Sequence, residues 1–285
     1  MLQFHVNEKT CTRCAQCVAD CPSCIIELPE GSVPRIRTEK EALCIQCQHC
    51  LAVCPTASIS ILGRKPSDSL PLTPGVLPGL DAMTHLVRGR RSVRRFRDVN
   101  VDPSVLRHLL ATLANVPTGV NRRELTFTLI DDKAAMSHFR EQVLVATDAA
   151  AKAGRIPERF GYLLTAASAY REQGRDILFR TAPHALVVSA PPDAPCPQQD
   201  VVLALAYFDM LAQSGGLGTV WWGMLKLVLE TLPELKVLLG LPADHVYYAM
   251  LFGVPAVRYA RTVQRDDAAK VRRAGFDAGA WGVRG

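Results

Sequence analysis

Eight cysteines fall in two copies of one spacing, Cys11-x-x-Cys14-x-x-Cys17-x-x-x-Cys21-Pro22 and Cys44-x-x-Cys47-x-x-Cys50-x-x-x-Cys54-Pro55. A ninth, Cys24, follows the first run, and Cys196 is the one cysteine in the remainder of the 285 residues. Three thiolates at i, i+3 and i+6 wrap one tight loop around three irons of a cubane and leave its fourth iron for a distant cysteine. Zinc usually takes two separated C-x-x-C pairs and has no need of a third cysteine in each run. A disulfide framework requires an oxidising compartment, and the opening MLQFHVNEKT has neither the apolar stretch nor the cleavage site of a secretory leader. Pro22 and Pro55 stop each turn from continuing as a helix. Cys24 reads as a small packed side chain rather than an alternative ligand.

The spacing is the ligand pattern of a two-cluster bacterial ferredoxin, in which the fourth cysteine of each run ligates the other cluster. It assigns Cys11, Cys14, Cys17 and Cys54 to one 4Fe-4S centre, and Cys44, Cys47, Cys50 and Cys21 to a second. The crossing ties residues 1–64 into one pseudo-twofold domain. Such a module carries single electrons at low potential, so the residues that follow are expected to use them.

With 48% hydrophobic and 21% charged residues the chain has the composition of an ordinary globular protein, and its length suits two domains. Residues 1–64 carry six basic and six acidic side chains. An oxidised 4Fe-4S centre with four thiolates adds roughly −2, which makes a loaded N-terminal domain acidic. The remainder holds 27 Lys and Arg against 21 Asp and Glu, so opposite charges favour docking of one part on the other. Between them GRKPSDSLPLTPGVLPG, with four prolines and three glycines, reads as an extended linker able to reach on the order of 50 Å. The boundaries are placed at 1–64, 65–80 and 81–285. The longest apolar stretch, Val201 to Phe208, falls well short of the ~20 residues that span a bilayer, and a cytoplasmic protein is expected.

The second domain alternates helical and strand signals. Asp102 caps and Pro103 opens an amphipathic helix to Leu113. Leu125 to Ile130 reads as a strand, Ala134 to Ala153 and Glu158 to Arg171 as helices, and Ala185 to Ala190 as a buried strand. Asp200 to Gln213 is apolar on nearly all sides, which suits a helix in the core or in a dimer interface. Pro233 to Leu239 predicts a short helix ended by Gly240, and Val246 to Phe252 a strand. The class is α+β, an antiparallel-dominated sheet wrapped by helices, preceded by the small iron-sulfur α+β domain.

Six arginines crowd into the ten residues from Arg88 to Arg97. A solvated face and a nucleic-acid surface both compete with a phosphate-bearing cofactor. Phe96 is the one aromatic among these arginines, short of the series of stacking rings a single-strand platform requires, so the cofactor is preferred and no nucleic-acid partner is expected.

At this point a resemblance becomes specific. Arg90-Arg-Ser-Val-Arg94-Arg-Phe96, Pro117-Thr-Gly-Val-Asn121, Gly216-Leu-Gly-Thr-Val-Trp-Trp222-Gly223, Leu239-Gly-Leu-Pro242 and Phe252-Gly-Val-Pro255 resemble, in order, the landmarks of the FMN-dependent nitroreductase family from about Leu80 to Arg265. The whole chain is similar to the branch in which a two-cluster ferredoxin precedes the flavin domain.

The resemblance implies that Arg90, Ser92 and Arg94, with Arg91 alongside, hold the ribityl phosphate; guanidinium suits that anion. It implies that Pro117, Thr118 and Gly119 lie against the isoalloxazine of a partner subunit with Asn121 nearby, and that the backbone at Trp222, Gly223 and Met224 meets flavin N5. Arg261, and after it Arg265, are the candidates for a further phosphate contact. It also implies a homodimer, because that family builds its flavin site across a twofold interface. Where the family commonly shows Gln-Pro-Trp after the asparagine, this chain has Arg122, Arg123 and Glu124, which alters the expected substrate-side wall. One of Trp221 and Trp222 is expected to fill the core.

The cofactors implied are thus FMN and two 4Fe-4S clusters. The partners are an external low-potential donor such as ferredoxin and a small planar acceptor of nitroaromatic, quinone or enone type, with no membrane partner. The flavin carries the chemistry, so no acid/base pair is assigned. The alternative is an electron relay or redox sensor that passes electrons to a protein. Gly216-x-Gly218-x-x-Trp221 lacks the third glycine of a dinucleotide fingerprint and follows a helix. Cys196, in a proline-rich loop with no evident helix terminus, is not assigned as a catalytic thiol, and His184 reads as a packed histidine.

Overall fold

The computed structural model describes residues 2–265 and 269–275. In the N-terminal lobe the elements run β1 His5–Val6, α1 Gln16–Ala19, β2 Ile26–Glu27, β3 Arg35–Ile36, α2 His49–Ala52 and β4 Ile59–Ser60. Strands β1 and β4 pair, Val6 opposite Ile59, and β2 pairs with β3, Ile26 opposite Ile36. The two cysteine runs fold as copies. Arg13, Ala15 and Cys24 of the first take the left-handed conformation, and so do Gln46, Gln48 and Ala57 at the matching positions of the second. The lobe's apolar core is small, chiefly Leu2, Val6, Ile25, Ile26, Leu51, Ile59 and Ile61 together with Cys17 and Cys50. Domains of this size commonly depend on a metal or crosslink for stability.

Beyond it, a 3-10 turn at Pro66–Asp68 leads into a strap without regular structure to Gly79, with Leu70, Leu72 and Leu77 exposed. Helix α3, Leu80–Gly89, is absent from the sequence-based expectations. Its arginine-rich end and its position after a Pro/Gly run mask an amphipathic period.

The following elements are α4 Pro103–Leu113, β5 Thr126–Ile130, α5 Lys133–Lys152, α6 Tyr162–Gln173, β6 His184–Ala190, α7 Pro197–Ser214, β7 Gly218–Trp221, α8 Gly223–Thr231 and β8 Val246–Gly253. The sheet order is β5-β6-β8-β7, antiparallel at every pairing. The expected α+β class and nearly every element hold. The Asp102 side chain accepts from the Ser104 N–H at 2.7 Å and starts α4, and Pro233–Leu239 is a 3-10 helix.

Strand β6 is buried along its whole length because its two faces meet different helix layers. Leu186, Val188 and Ala190 pack with Leu106, Leu109, Val201, Leu205 and Phe208 of α4 and α7. Ala185 and Val187 pack with Met136, Val143, Leu225 and Leu229 of α5 and α8. A strand alternates its side chains between faces, so burial on both produces an unbroken apolar run.

The segment after α3 lies on the β7 edge. Ser92 bridges Thr219 in parallel, the Val93 N–H donates to the Thr219 carbonyl at 2.8 Å, and Phe96 bridges Pro255. That approach requires Gly218. A Cβ there would stand 2.8 Å from Val93 Cβ and Cγ1 and 2.9 Å from its Cγ2, so any side chain would push the arginine segment off the sheet.

Candidate functional site

In the N-terminal lobe Cys11, Cys14 and Cys17 line one cavity together with Cys54 from the other run, along with Thr56 and Ile59. Cys44 lies within electrostatic range of Cys47 and Cys21, and Cys50 of Cys47 and Cys44. The structure thus brings Cys54 of the second run to the first three cysteines and Cys21 of the first run toward Cys44, while Cys50 also neighbours Cys17. Among the described residues no three His, Cys, Asp or Glu side chains converge tightly enough for a single metal ion, whereas a cubane spreads its four thiolates further apart than one tetrahedral ion does.

The surrounding backbone suits a polyanionic cluster, since alternation of right- and left-handed residues turns successive N–H groups into an anion-binding concavity. The Ser58 N–H donates to Cys54 Sγ at 3.2 Å, and the Gln46 N–H to Cys44 Sγ at 3.4 Å. Burial raises the Cys17 and Cys44 thiols and pushes Cys50 up to about 12. Burial also opposes ionisation of Cys54, yet the N–H and hydroxyl groups of Ser58 and Thr56 outweigh it and lower that thiol. Iron loading of such a set displaces protons that burial otherwise retains. Cys24 departs from expectation: it is exposed, in the left-handed turn whose N–H returns to the Cys21 carbonyl.

In the second lobe two buried carboxylates of α7 anchor the two segments expected to contact flavin. Near its C-terminal end Asp209, 4% exposed, accepts from Arg90 Nη1 at 3.2 Å and from Gln213 Nε2 at 2.8 Å, and also binds the Thr219 hydroxyl. Gln213 clamps the arginine segment, accepting from the Arg91 N–H and donating to the Arg91 carbonyl, each at 3.2 Å. Arg90 is thus engaged from within. Arg94 reaches only the Ser92 carbonyl, at 3.4 Å, and among the described residues neither Arg91 nor Arg94 pairs with a carboxylate. Those two guanidiniums suit a phosphate, and Tyr259, whose hydroxyl donates to the Ser92 carbonyl at 3.5 Å, brings the chain after β8 back to the same place. Arg261 and Arg265 lie beyond it, exposed and outside regular structure.

Near the N-terminal end of α7, Asp200 accepts the Gly119 N–H through both oxygens, at 3.0 and 3.2 Å. This fixes the Pro117–Gly119 turn, while the Thr118 hydroxyl accepts the Arg123 N–H at 3.0 Å. Val120, Asn121 and Arg123 all have positive φ. Cys196 stands at the N-terminal boundary of α7, with no capping hydrogen bond from its side chain, and packs on Gly119, its Sγ 3.1 Å from where a Cβ would stand. The sequence reading missed this helix terminus, although Pro197 at the first helical position was a signal for it.

Trp222 requires a correction. Its ring is buried among Phe139 and Phe179 with the indole N–H on the Leu178 carbonyl at 2.8 Å, and its backbone N–H is taken by the Ala249 carbonyl at 2.8 Å. Neither ring nor N–H is left for a flavin, because the residue between β7 and α8 turns its ring into the aromatic pocket and its N–H to β8. The open donors are the N–H groups that begin α8 at Gly223 and Met224, and a Cβ on Gly223 would lie 2.9 Å from the Tyr248 hydroxyl. Trp221 stays half-buried against Tyr248. His184 is fully buried, accepts the Val101 N–H at 3.0 Å and stacks on Phe252, as a packed histidine should.

The comparisons with known proteins agree with this architecture. Residues 87–254 match the model of the nitroreductase family, and residues 10–59 match a 4Fe-4S dicluster domain. The chain belongs to the nitroreductase family. Among solved structures it is similar to a nitroreductase with bound FMN from Desulfitobacterium hafniense DCB-2, at 19% identity over 67% of this chain and 97% of that one, TM-score 0.52. A nitroreductase with bound FMN from Bacteroides fragilis NCTC 9343 gives 20% identity over 70% and 96%, TM-score 0.50. At these identities the likeness speaks for the fold. None of the curated proteins compared matches the chain. No helix among the described residues is long and apolar enough to cross a membrane.

Proposed function

We propose that this chain is a cytoplasmic FMN-dependent oxidoreductase that draws electrons through two 4Fe-4S clusters and reduces a small planar acceptor of nitroaromatic, quinone or enone type. The observation that carries it is the interleaving of the two cysteine runs, with Cys54 closing the cavity of Cys11, Cys14 and Cys17, on a chain whose other lobe has the nitroreductase fold. When bound, the clusters supply single electrons and the flavin pairs them for transfer to the acceptor.

The residues position these groups. Arg91 and Arg94, with Ser92 held on β7, receive the phosphate; Arg90 is braced by Asp209 and completes the positive edge. The opening N–H groups of α8 would receive the ring edge, and the Pro117–Gly119 turn, tied to Asp200, would wall the ring of a partner subunit's flavin and exclude water. Exposed Leu80, Met83 and Val87 on α3 and Val202, Leu203 and Tyr207 on α7 form apolar faces that suit a homodimer. An external low-potential donor such as ferredoxin supplies the electrons.

The test is anaerobic purification with iron, acid-labile sulfide and released flavin measured per chain, followed by single-turnover oxidation. About eight irons with one FMN, and oxidation that saturates with a quinone or nitroaromatic, is the expected result. Iron without flavin, or zinc in place of iron, overturns the assignment. Oxidation that proceeds only with a protein acceptor would make the chain a relay.

A further inference from the structure

Among the described residues one side-chain hydrogen bond joins the two lobes, and the residues of the first lobe beside it come from the second cysteine run, with Pro22 next to Cys21 the one contribution of the first run. The Asn121 side-chain amide donates to the Ile45 carbonyl at 2.8 Å, and Ile45 follows Cys44 directly. On one side of this bond a cleft of about 560 Å³ is lined by Cys44, Ile45, Gln46 and residues 120–124; on the other, one of about 680 Å³ includes Cys47, Gln48, Pro117, Thr118 and Arg123. Arg123 lines both clefts. By contrast the cavity of Cys11, Cys14, Cys17 and Cys54 is lined wholly by residues of the first lobe. Arg122 is occupied by Glu124 at 2.6 Å, while Arg123 makes its hydrogen bond through its backbone N–H. Its charge faces a lobe that becomes acidic on loading.

We propose that Asn121–Glu124 is the docking site of the iron-sulfur lobe, and that the cluster of Cys21, Cys44, Cys47 and Cys50 is the one that discharges into the flavin. The cluster of Cys11, Cys14, Cys17 and Cys54 is then the outer one, reduced first by the low-potential donor. This rests on the function proposed above. Each passage oxidises the inner cluster by one electron and reduces the flavin by one; two passages, with protons from water, complete the two-electron reduction. The departure of residues 122–124 from the usual Gln-Pro-Trp acquires a reason, since these positions face another lobe of the same chain instead of forming a substrate wall.

Arg123→Glu in the full chain reverses the charge beside the inner cluster, and Arg13→Glu does so between two ligands of the outer one. Iron and FMN contents are measured first, so that loss of either is read as failure of the functional assignment or of folding and not of the docking. In a potentiometric titration followed by electron paramagnetic resonance, Arg13→Glu should lower one cluster potential and Arg123→Glu the other. In hydrogen exchange, Arg123→Glu should raise exchange of the amides at 44–48 and 118–124 and leave those at 11–17 unchanged. Arg123→Gln, which removes the charge at similar size, should give the same pattern with a smaller shift if the reversal impairs folding. A shift of the same wave by both variants, or unchanged potentials and unchanged exchange at 44–48 in a fully loaded protein, overturns the proposal.

Discussion

The Asp209 carboxylate, 4% exposed, receives Arg90 Nη1 at 3.2 Å, and through this pair the arginine segment is held by the helix beneath the sheet. Asp209→Ala leaves Arg90, the Gln213 amide and the Thr219 hydroxyl without their shared acceptor. Because Arg90 is a third exposed and can turn to water, the expected loss is about 1–3 kcal/mol. It is measured by urea denaturation of the holoprotein and accompanied by weaker FMN retention on a desalting column.

A larger effect is expected at Asp176. Its carboxylate, 3% exposed, pairs with Arg140 at 3.0 Å and accepts the N–H groups of Phe179 and Thr181 at 2.8 and 2.9 Å. That turn carries the Leu178 carbonyl on which Trp222 rests. Asp176→Ala strands a buried guanidinium and should cost about 3–5 kcal/mol, read from the denaturation midpoint. An unchanged midpoint would contradict the pairing.

Gly218→Ala tests the seat of the arginine segment. The added methyl meets the Cβ and Cγ1 of Val93 at 2.8 Å, so overpacking of about 1–3 kcal/mol is expected. FMN affinity should fall with it, since Val93 lies between Ser92 and Arg94. Retained stability with weakened flavin would show that the segment moved without unfolding the sheet.

The pH dependence has a definite sign. Burial lowers the His184 pKa below its ordinary 6.5, with Asp131 and Asp132 pulling the other way. Below 6.5 the unfolded chain binds a proton that the folded one refuses, so the full contribution is present above that value. It falls as pH drops toward the folded pKa, by at most about 1.4 kcal/mol per unit. Asp102, Asp132 and Glu27, whose pKa values are lowered, add their losses only at more acid pH. Stability measured between pH 7 and 5 should decline in the wild type and decline less in His184→Gln, which lacks the titrating ring.

Removal of iron by an oxidant and chelator should loosen residues 1–64 selectively. The lobe's core is small and four of its thiols line one cavity, so its amides should lose exchange protection while β6 and β8 keep theirs. Equal loss in both lobes would mean that they fold as one unit.

Much of this architecture was legible in the chain. The Asp102-Pro103 pair located α4, the unbroken apolar run located β6, and the cysteine spacing anticipated which thiols share a cavity. What escaped depended on partners distant in sequence. Asp200 and Asp209 look like interruptions of an apolar helix until the fold delivers Gly119 and Arg90 to them. Trp222 looked like a flavin neighbour because the pattern Trp-Trp-Gly does not say which ring a strand turns inward. Ile45 offered only a backbone carbonyl, which no side-chain pattern reports.

Helix α7 holds the Gly119 turn through Asp200 and the Arg90 segment through Asp209, so it acts as a spacer between the two segments this chain offers to flavin, one to its own and one to a partner's. An α-helix advances about 1.5 Å and turns about 100° with each residue. One residue inserted or deleted between these aspartates would therefore swing one carboxylate to a different side of the axis. Homologues that vary freely in their loops should keep this interval constant, and grafting the site onto another scaffold requires copying the interval together with the residues.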